Sequence, residues 1–135
     1  MLKTRIIPVL LWDDRGCVKG TQFNSERCIG SMRDRIRLLE RRDVDEIIIL
    51  DIAATPAARG PRFEDIKELC AEIFCPITIG GGIRSIADIR RLLCEGADKV
   101  SIRSAKHLIP EASRKFGAQA IVVDVRNIEE ALAAE

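Results

Sequence analysis

The sequence lacks the residues that several common kinds of functional site require. It has one histidine among 135 residues, so a histidine-based triad or a multi-histidine metal site would need a second chain. We expect this residue, His107, to lie at the start of a helix. The five cysteines are odd in number and form no Cys-x-x-Cys pair, which argues against a disulfide framework and a zinc site. We therefore expect free thiols, and neither a metal nor a cofactor.

The sequence also lacks an excess of charge and a long apolar run. Lys and Arg number 22 and Asp and Glu number 21, so the whole molecule has no electrostatic attraction for nucleic acid or an anionic membrane. No apolar run approaches the roughly 18 residues of a membrane span, and the first residues lack the pattern of a signal peptide. These features predict a cytoplasmic protein without nucleic-acid or membrane partners. The length predicts a single domain, residues 1–135.

Continuous apolar runs of strand length recur along the chain. Strands that are hydrophobic on both faces are typical of a parallel sheet covered by helices. The predicted strands are Ile6–Leu11, Ile47–Ile52, Ile77–Ile79, Val100–Ile102 and Ala120–Val125.

Helical periodicity and capping residues occupy the segments between these runs. Ser31 and Ser85, each followed three residues later by an aspartate, predict helix starts, and Gly96 predicts the end of the second of these helices. The arginine-rich stretch 33–42 is interrupted by apolar residues, which indicates a solvated outer helix face. Further helices are predicted from Pro61, with Phe63, Ile66, Leu69, Cys70 and Ile73 on one face, at Pro110–Lys115 before Gly117, and in the tail Asn127–Glu135.

Three glycines, Gly80, Gly81 and Gly82, directly follow the third predicted strand. In α/β proteins ligands bind beyond the carboxyl ends of the strands. Glycine allows a positive φ and lets an oxyanion approach the peptide N–H groups, and a following helix start adds its positive dipole end. A tight turn would need only one glycine. The run therefore favours phosphate binding.

The next strand carries matching chemistry at the same end. Ser101, Arg103 and Ser104 offer two hydroxyls and a guanidinium to the same anion. The glycine run lacks the G-K-[ST] of a Walker loop and the G-x-G-x-x-G of a dinucleotide site. Together the two loops predict a phosphate cradle.

The order of motifs resembles a known family. The stretches "RIIPVLL", "CVKGTQF", "VDEIIILDI", "PITIGGGIRSIADIRRLL" and "GADKVSI" follow, in order, the first half of the cyclase subunit of imidazole glycerol phosphate synthase, from Met1 to about Arg126. The resemblance implies a (βα)₈ lyase of histidine biosynthesis that adds ammonia from a glutaminase partner to a bis-phosphate ribonucleotide. The details "PVLL" and "RGPRFEDI" look closer to cyclase-like relatives in surface-polysaccharide gene clusters.

The resemblance assigns roles to individual residues. It implies a phosphate site at Gly81, Gly82, Ser101, Arg103 and Ser104, where Arg103 and Ser104 replace the usual Asn and Thr. It also places Lys19 and Asp51 near the substrate, although Asp51 could equally be a structural acceptor. Arg5, Glu46 and Lys99 match three members of a charged ring through which ammonia passes, or they form ion pairs at the strand ends.

The resemblance is weakest at the catalytic pair. The family uses two aspartates as general acid and base, at the ends of the first and fifth strands. Leu11 occupies the first position, and whether Asp13 or Asp14 compensates stays open. An ungapped match places Arg126 at the second position, whereas a two-residue deletion places Asp124 there, so Asp124 is the catalytic candidate.

The second phosphate site that the resemblance implies lies in strands that this sequence does not contain. A complete barrel needs about 250 residues. We therefore expect a (βα)4-5 half-barrel, natural or excised, that either forms a two-fold homodimer or rearranges into a flavodoxin-like open parallel sheet. Three hypotheses follow: a phosphate-binding half-barrel without full cyclase activity, a cyclase or ammonia-transfer lyase using Asp124 and Lys19, or a module that docks on a glutaminase subunit.

Overall fold

The structure is a computed structural model that describes residues 3–21 and 24–133. The strands in these residues are β1 (Val9–Asp13), β2 (Gly16–Thr21), β3 (Asn24–Gly30), β4 (Ile47–Asp51), β5 (Ile77–Gly80), β6 (Lys99–Ile102) and β7 (Ile121–Val123). The α-helices are α1 (Met32–Arg41), α2 (Phe63–Cys70), α3 (Ile86–Glu95), α4 (Ile109–Phe116) and α5 (Ile128–Ala133).

The strands form one sheet in the order β3-β2-β1-β4-β5-β6-β7. From β1 to β7 neighbouring strands are parallel and follow one another along the chain. Each crossover thus advances in the same direction, so right-handed connections place the helices on one face. This is the arrangement of a half-barrel. A flavodoxin-like strand order would reverse direction within the sheet. The described parallel strands show no such reversal.

An antiparallel hairpin, β2 and β3, extends the sheet beyond β1. The sequence predicted no strand between Leu11 and Ile47, and this was wrong, since the hairpin residues are too polar to form a continuous apolar run. The first strand also begins later than expected, at Val9 rather than Ile6, and reaches Asp13. Gln22 and Phe23, which belong to a matched stretch, lie outside the described residues.

The predicted helix caps are confirmed. The Ser31 hydroxyl accepts a hydrogen bond from the Asp34 N–H at 3.1 Å, and Ser85 accepts one from the Asp88 N–H at 3.2 Å. Gly96 ends α3. The helix expected from Pro61 instead spans Phe63–Cys70, so Ile73 lies beyond it.

The remaining helix predictions hold with small shifts of boundary. Helix α4 includes the predicted stretch Pro110–Lys115 and is followed by Gly117. His107 lies in a short 3₁₀ turn just before α4. The predicted tail helix forms over Ile128–Ala133, and the last two residues of the chain lie outside the described part.

The two faces of the parallel sheet differ in burial. Ile49, Ile79 and Val100 are neighbours in register and nearly inaccessible, because this face packs against the helices. The other face carries the register row Leu11, Leu50, Gly80, Ser101 and Val122. Leu11, Leu50 and Val122 are only half-buried. A barrel would enclose this second row, so we call it the inner face.

Among residues 3–21 and 24–133, no helix is both long and apolar enough to cross a membrane. In the same residues, no three His, Cys, Asp or Glu side chains are grouped so that they could hold a metal ion.

All five cysteines are free thiols, in agreement with the sequence. They differ in accessibility, since Cys28 and Cys94 are exposed and Cys17 is buried. Burial, with smaller contributions from Asp98 and Glu95, raises the pKa of Cys70 to about 11. Burial also raises the pKa of Cys17 and of Cys75.

These differences predict the order in which the thiols react. At pH 8, iodoacetamide should label Cys28 and Cys94 first, because the thiolate is the nucleophile and the other three thiols are shielded and protonated. Peptide mass spectrometry at successive times measures the order, and labelling of all five thiols in urea is the control. Early labelling of Cys70 would contradict the packing of α2 against α3.

Candidate functional site

A cavity of about 610 Å³ opens at the carboxyl ends of the parallel strands. Its walls come from the segments that follow β4, β5, β6 and β7. The lining residues are Leu50, Asp51, Ile52, Thr55, Gly81, Gly82, Ile83, Ser101, Ile102, Arg103, Ser104, Ala105, Asp124, Arg126 and Glu130. All five residues of the predicted phosphate site, together with Asp51 and Asp124, thus lie on one cavity.

The backbone of the fold itself requires the glycines at this cavity. Gly81 has φ +103°, and a Cβ there would lie 2.3 Å from the Asp51 carbonyl oxygen. Gly82 has φ +76°, and its Cβ would lie 2.8 Å from that of Ala54. A Cβ at Gly80 would meet Leu50 Cδ2 at 2.7 Å. Close packing against β4 and the loop after it therefore accounts for three glycines where one seemed sufficient for a turn.

Polar groups of the β5 and β6 ends face this cavity. Ser101 is buried, whereas Arg103 and Ser104 are exposed at its rim. The backbone N–H groups of Gly82 and Ser104 donate no hydrogen bond to any group of residues 3–21 or 24–133. Free N–H groups, hydroxyls and a guanidinium are the donors that bind oxyanions.

Helix α3 contributes less to this cavity than its position in the sequence suggests. Its first turn is capped by the Ser85 hydroxyl, and Asp88 places a carboxylate there. The Asp88 carboxylate also accepts a hydrogen bond from the Arg84 N–H at 3.0 Å. The positive end of α3 is thus compensated within the helix, so the loop N–H groups are the principal backbone donors of the site.

Asp124 follows β7 directly and shares the cavity with Arg103. The Arg103 Nη1 lies 3.8 Å from the Asp124 Oδ2, and the two side chains are 48% and 33% exposed. The Asp124 N–H donates to the Ile102 carbonyl oxygen at 2.9 Å, which fixes the chain next to β6. The catalytic candidate is therefore an ion-paired carboxylate.

The Asp51 carboxylate is occupied by neighbouring groups. It accepts hydrogen bonds from Arg59 Nη1 at 2.7 Å and Arg62 Nε at 3.0 Å, and from the N–H groups of Ala53 and Ala54 at 3.0 and 3.1 Å. Its side chain is only 6% exposed. Of the two roles considered for Asp51, this arrangement corresponds to the structural acceptor.

Neither Asp13 nor Asp14 lines this cavity. Asp13 accepts hydrogen bonds from the Arg15 backbone N–H and side chain, and the Arg15 side-chain bond lowers the pKa of that carboxyl. Asp14 pairs with Arg62. Both aspartates line a second cavity of about 420 Å³, beside the start of α1 and α2. The structure therefore does not bring Asp13 or Asp14 to the place of a proton donor opposite Asp124.

Lys19 is also separated from the cavity. It lies on β2, is exposed, and is the register partner of Arg27 on β3. Because β2 runs antiparallel to β1, its chain leads away from the carboxyl end of β1. Of the two residues expected near the substrate, Asp51 reaches the cavity wall and Lys19 does not.

Arg5, Glu46 and Lys99 meet at the opposite end of the sheet. Arg5 Nη2 lies 2.7 Å and Lys99 Nζ 3.5 Å from the same Glu46 oxygen. Glu46 is buried, at 8% exposure. The structure thus brings the three residues together, with two cations on one carboxylate.

Several residues in or beside the two cavities were not expected from the sequence. Arg59 and Arg62 flank Gly60-Pro61, and Arg62 also lies over the Trp12 ring, 5.4 Å from its centroid. Glu130 on α5 accepts hydrogen bonds from Lys106 and the Arg126 N–H, and the Lys106 bond lowers its pKa. The sequence did offer one signal for Arg59 and Arg62: two arginines stand beside a turn, shortly after an aspartate at a strand end.

The fold and this cavity define a half-barrel of consecutive parallel βα units with a site at the carboxyl ends of its strands. Comparison with known proteins gives the family. The protein-family model described as "Histidine biosynthesis protein" matches residues 5–134. The chain belongs to that family.

Individual relatives agree with this assignment. The imidazole glycerol phosphate synthase subunit HisF of Dictyoglomus thermophilum is 43% identical over 93% of this chain and 51% of its own length. The corresponding subunit of Natranaerobius thermophilus is 42% identical over 96% of this chain and 54% of its own length. The chain thus spans about half the length of these curated relatives, and the match supports the first-half resemblance.

The contacts of Asp51 predict that replacing Asp51 costs much more stability than replacing Asp14. Asp51→Asn should lower the free energy of unfolding by about 3 kcal/mol, because it leaves Arg59 and Arg62 without their shared buried carboxylate. Asp14→Asn is the matched control, since Asp14 is 77% exposed, and should cost less than about 1 kcal/mol. Urea unfolding of both variants measures the difference. Equal costs would contradict a structural role for Asp51.

Proposed function

We propose that this chain binds the phosphate group of a small phosphorylated ligand in the cradle formed by Gly81, Gly82, Ser101, Arg103 and Ser104. The single observation that carries the proposal is that free N–H groups, hydroxyls and Arg103 converge on one cavity. The names of the relatives support a phosphorylated ligand, since both are subunits of an imidazole glycerol phosphate synthase.

The electrostatics of the cavity support an anionic ligand. Three carboxylates line it, but Asp51 is paired with Arg59 and Arg62, Glu130 with Lys106, and Asp124 with Arg103. The Arg126 side chain also lines the cavity, and its charge adds to the lowering of the Glu130 pKa. Each carboxylate of the cavity thus has a cationic neighbour, so the cavity does not repel an anion.

We also propose that the chain alone lacks full cyclase activity. A leucine can neither donate nor accept a proton, and Leu11 lies on the inner face where the resemblance implies one of the two catalytic aspartates. The ion pairs of Asp13 with Arg15 and of Asp14 with Arg62, beside the second cavity, support this proposal. A bis-phosphate substrate would further need a second phosphate site.

Phosphate binding is tested by calorimetric titration with inorganic phosphate and with ribose 5-phosphate, using ribose as the uncharged control. Arg103→Ala should weaken binding at least about tenfold and Ser104→Ala several-fold, because hydrogen bonds to charged groups are worth about 1.5–3 kcal/mol. Arg114→Ala, at an exposed position of α4, removes the same charge and should leave the affinity nearly unchanged. Absence of binding in the unmodified chain, or an equal loss with Arg114→Ala, would contradict the proposal.

An alternative function is a cyclase or ammonia-transfer lyase subunit that is active when completed by a second half-barrel, a second copy or a glutaminase subunit. Two observations favour it: the half-buried row of the inner face, and the cluster of Arg5, Glu46 and Lys99 at the opposite end of the sheet. Ammonia-dependent turnover in a completed assembly would support this alternative, and no turnover in any assembly state would reject it.

A further inference from the structure

We propose that phosphate and Asp124 compete for Arg103, so that ligand binding releases the Asp124 carboxylate into the cavity. The inference rests on the proposed phosphate site and adds a means of regulating it. Asp124 is then a residue that sets the affinity of the cradle, and its carboxylate becomes free only when the cradle is occupied.

Arg103 and Asp124 occupy equivalent positions at the ends of two neighbouring strands. Ile102 and Val123 are register partners, and Arg103 and Asp124 are the residues that follow them. The 3.8 Å separation of Nη1 and Oδ2 exceeds the 2.7–3.2 Å of a hydrogen bond. The pair is therefore held by charge alone, and its half-exposed groups are accessible from the cavity.

Asp124 has fewer partners than the other two carboxylates of the cavity. Asp51 has two arginines and two backbone N–H groups, and Glu130 has Lys106 and a backbone N–H. Within residues 3–21 and 24–133, Arg103 is the one side-chain partner of Asp124. Asp124 is likewise the one side-chain partner of Arg103 among these residues. Only this one attraction, which includes no hydrogen bond, opposes the movement of Arg103 toward a ligand group.

Phosphate can form hydrogen bonds to Arg103 that Asp124 does not form in this structure. A phosphate group can accept two parallel hydrogen bonds from a guanidinium, whereas the present pair has none. Ser101 and Ser104, on the same strand end as Arg103, would hold the phosphate beside it. The cost of binding includes the loss of the Arg103–Asp124 attraction, and this cost disappears if the carboxylate is removed.

A double-mutant cycle tests the competition with inorganic phosphate. Asp124→Asn should tighten phosphate binding about two- to fivefold, the range expected for losing an exposed ion pair. In the Arg103→Ala background the same substitution should change the affinity less than about 1.5-fold. Glu129→Gln, an exposed position on α5, removes the same charge near the same end and is the control in both backgrounds.

The outcomes separate this inference from the function on which it rests. Equal tightening in both backgrounds would overturn the inference, because Asp124 would then act only through its general charge. Phosphate binding that Asp124→Asn leaves unchanged would also overturn it while the proposed site stands. No phosphate binding by the unmodified chain would overturn both.

A second measurement avoids substitutions altogether. On saturation with inorganic phosphate, the ¹³C carboxyl resonance of Asp124 should shift as its partner leaves. The resonance of Asp98, which accepts a hydrogen bond from the Ile77 N–H at the opposite end of the sheet, should stay in place and serves as the internal reference. A stationary Asp124 resonance at saturating phosphate would overturn the inference.

Discussion

The close approach of the Gly81–Gly82 backbone to the end of β4 determines the shape of the candidate site. A Cβ at Gly81 would lie 2.3 Å from the Asp51 carbonyl oxygen, so the two loops can only pack together if position 81 has no side chain. The Asp51 carboxylate holds the β4 loop in place through Arg59, Arg62 and two backbone N–H groups. The cavity wall is therefore built from mutually dependent loops.

This dependence changes what the glycine run says about function. Steric packing explains the glycines whether or not an anion binds, so glycine alone is weak evidence for a phosphate site. The stronger evidence comes from groups that packing does not explain: the free N–H groups of Gly82 and Ser104, and Arg103 at the rim. These groups make the cavity suited to an anion.

Sequence reasoning succeeded where one local signal decides the structure. Continuous apolar runs located the five parallel strands, and the serine caps located α1 and α3. It failed at the β2–β3 hairpin, where residues such as Lys19 and Arg27 face each other and no continuous apolar run exists. Lys19 consequently lies outside the cavity, although a sequence match alone had placed it near a substrate.

Such local signals do not predict contacts between residues that are far apart in the sequence. The cavity positions of Arg103 and Asp124 could be expected from their strands, but their pairing depends on the β6–β7 register. Arg59 and Arg62 join Asp51 from a loop without periodicity, so nothing local indicated that its carboxylate would be occupied. The family assignment, in contrast, agreed with the sequence, because several motifs in a fixed order carry more information than any single residue.

The inner face connects the fold to the question of assembly. Leu11, Leu50 and Val122 are half-buried on one side of a sheet whose other side is covered by helices. The relatives are about twice as long as this chain, and a second half-barrel would cover such a row. The residues of the proposed phosphate cradle, however, all lie at the ends of β5 and β6 of this chain, so the proposed binding does not depend on that assembly.

Phosphate binding in the glycine cradle is tested most directly by following the backbone amides of the ¹⁵N-labelled chain while inorganic phosphate is added. We expect the amide resonances of Gly82 and Ser104 to shift together and saturate with one affinity, while those of Lys19 and Phe74, away from the cavity, stay in place. Saturating shifts elsewhere, with Gly82 and Ser104 unmoved, would contradict a phosphate site in the glycine cradle.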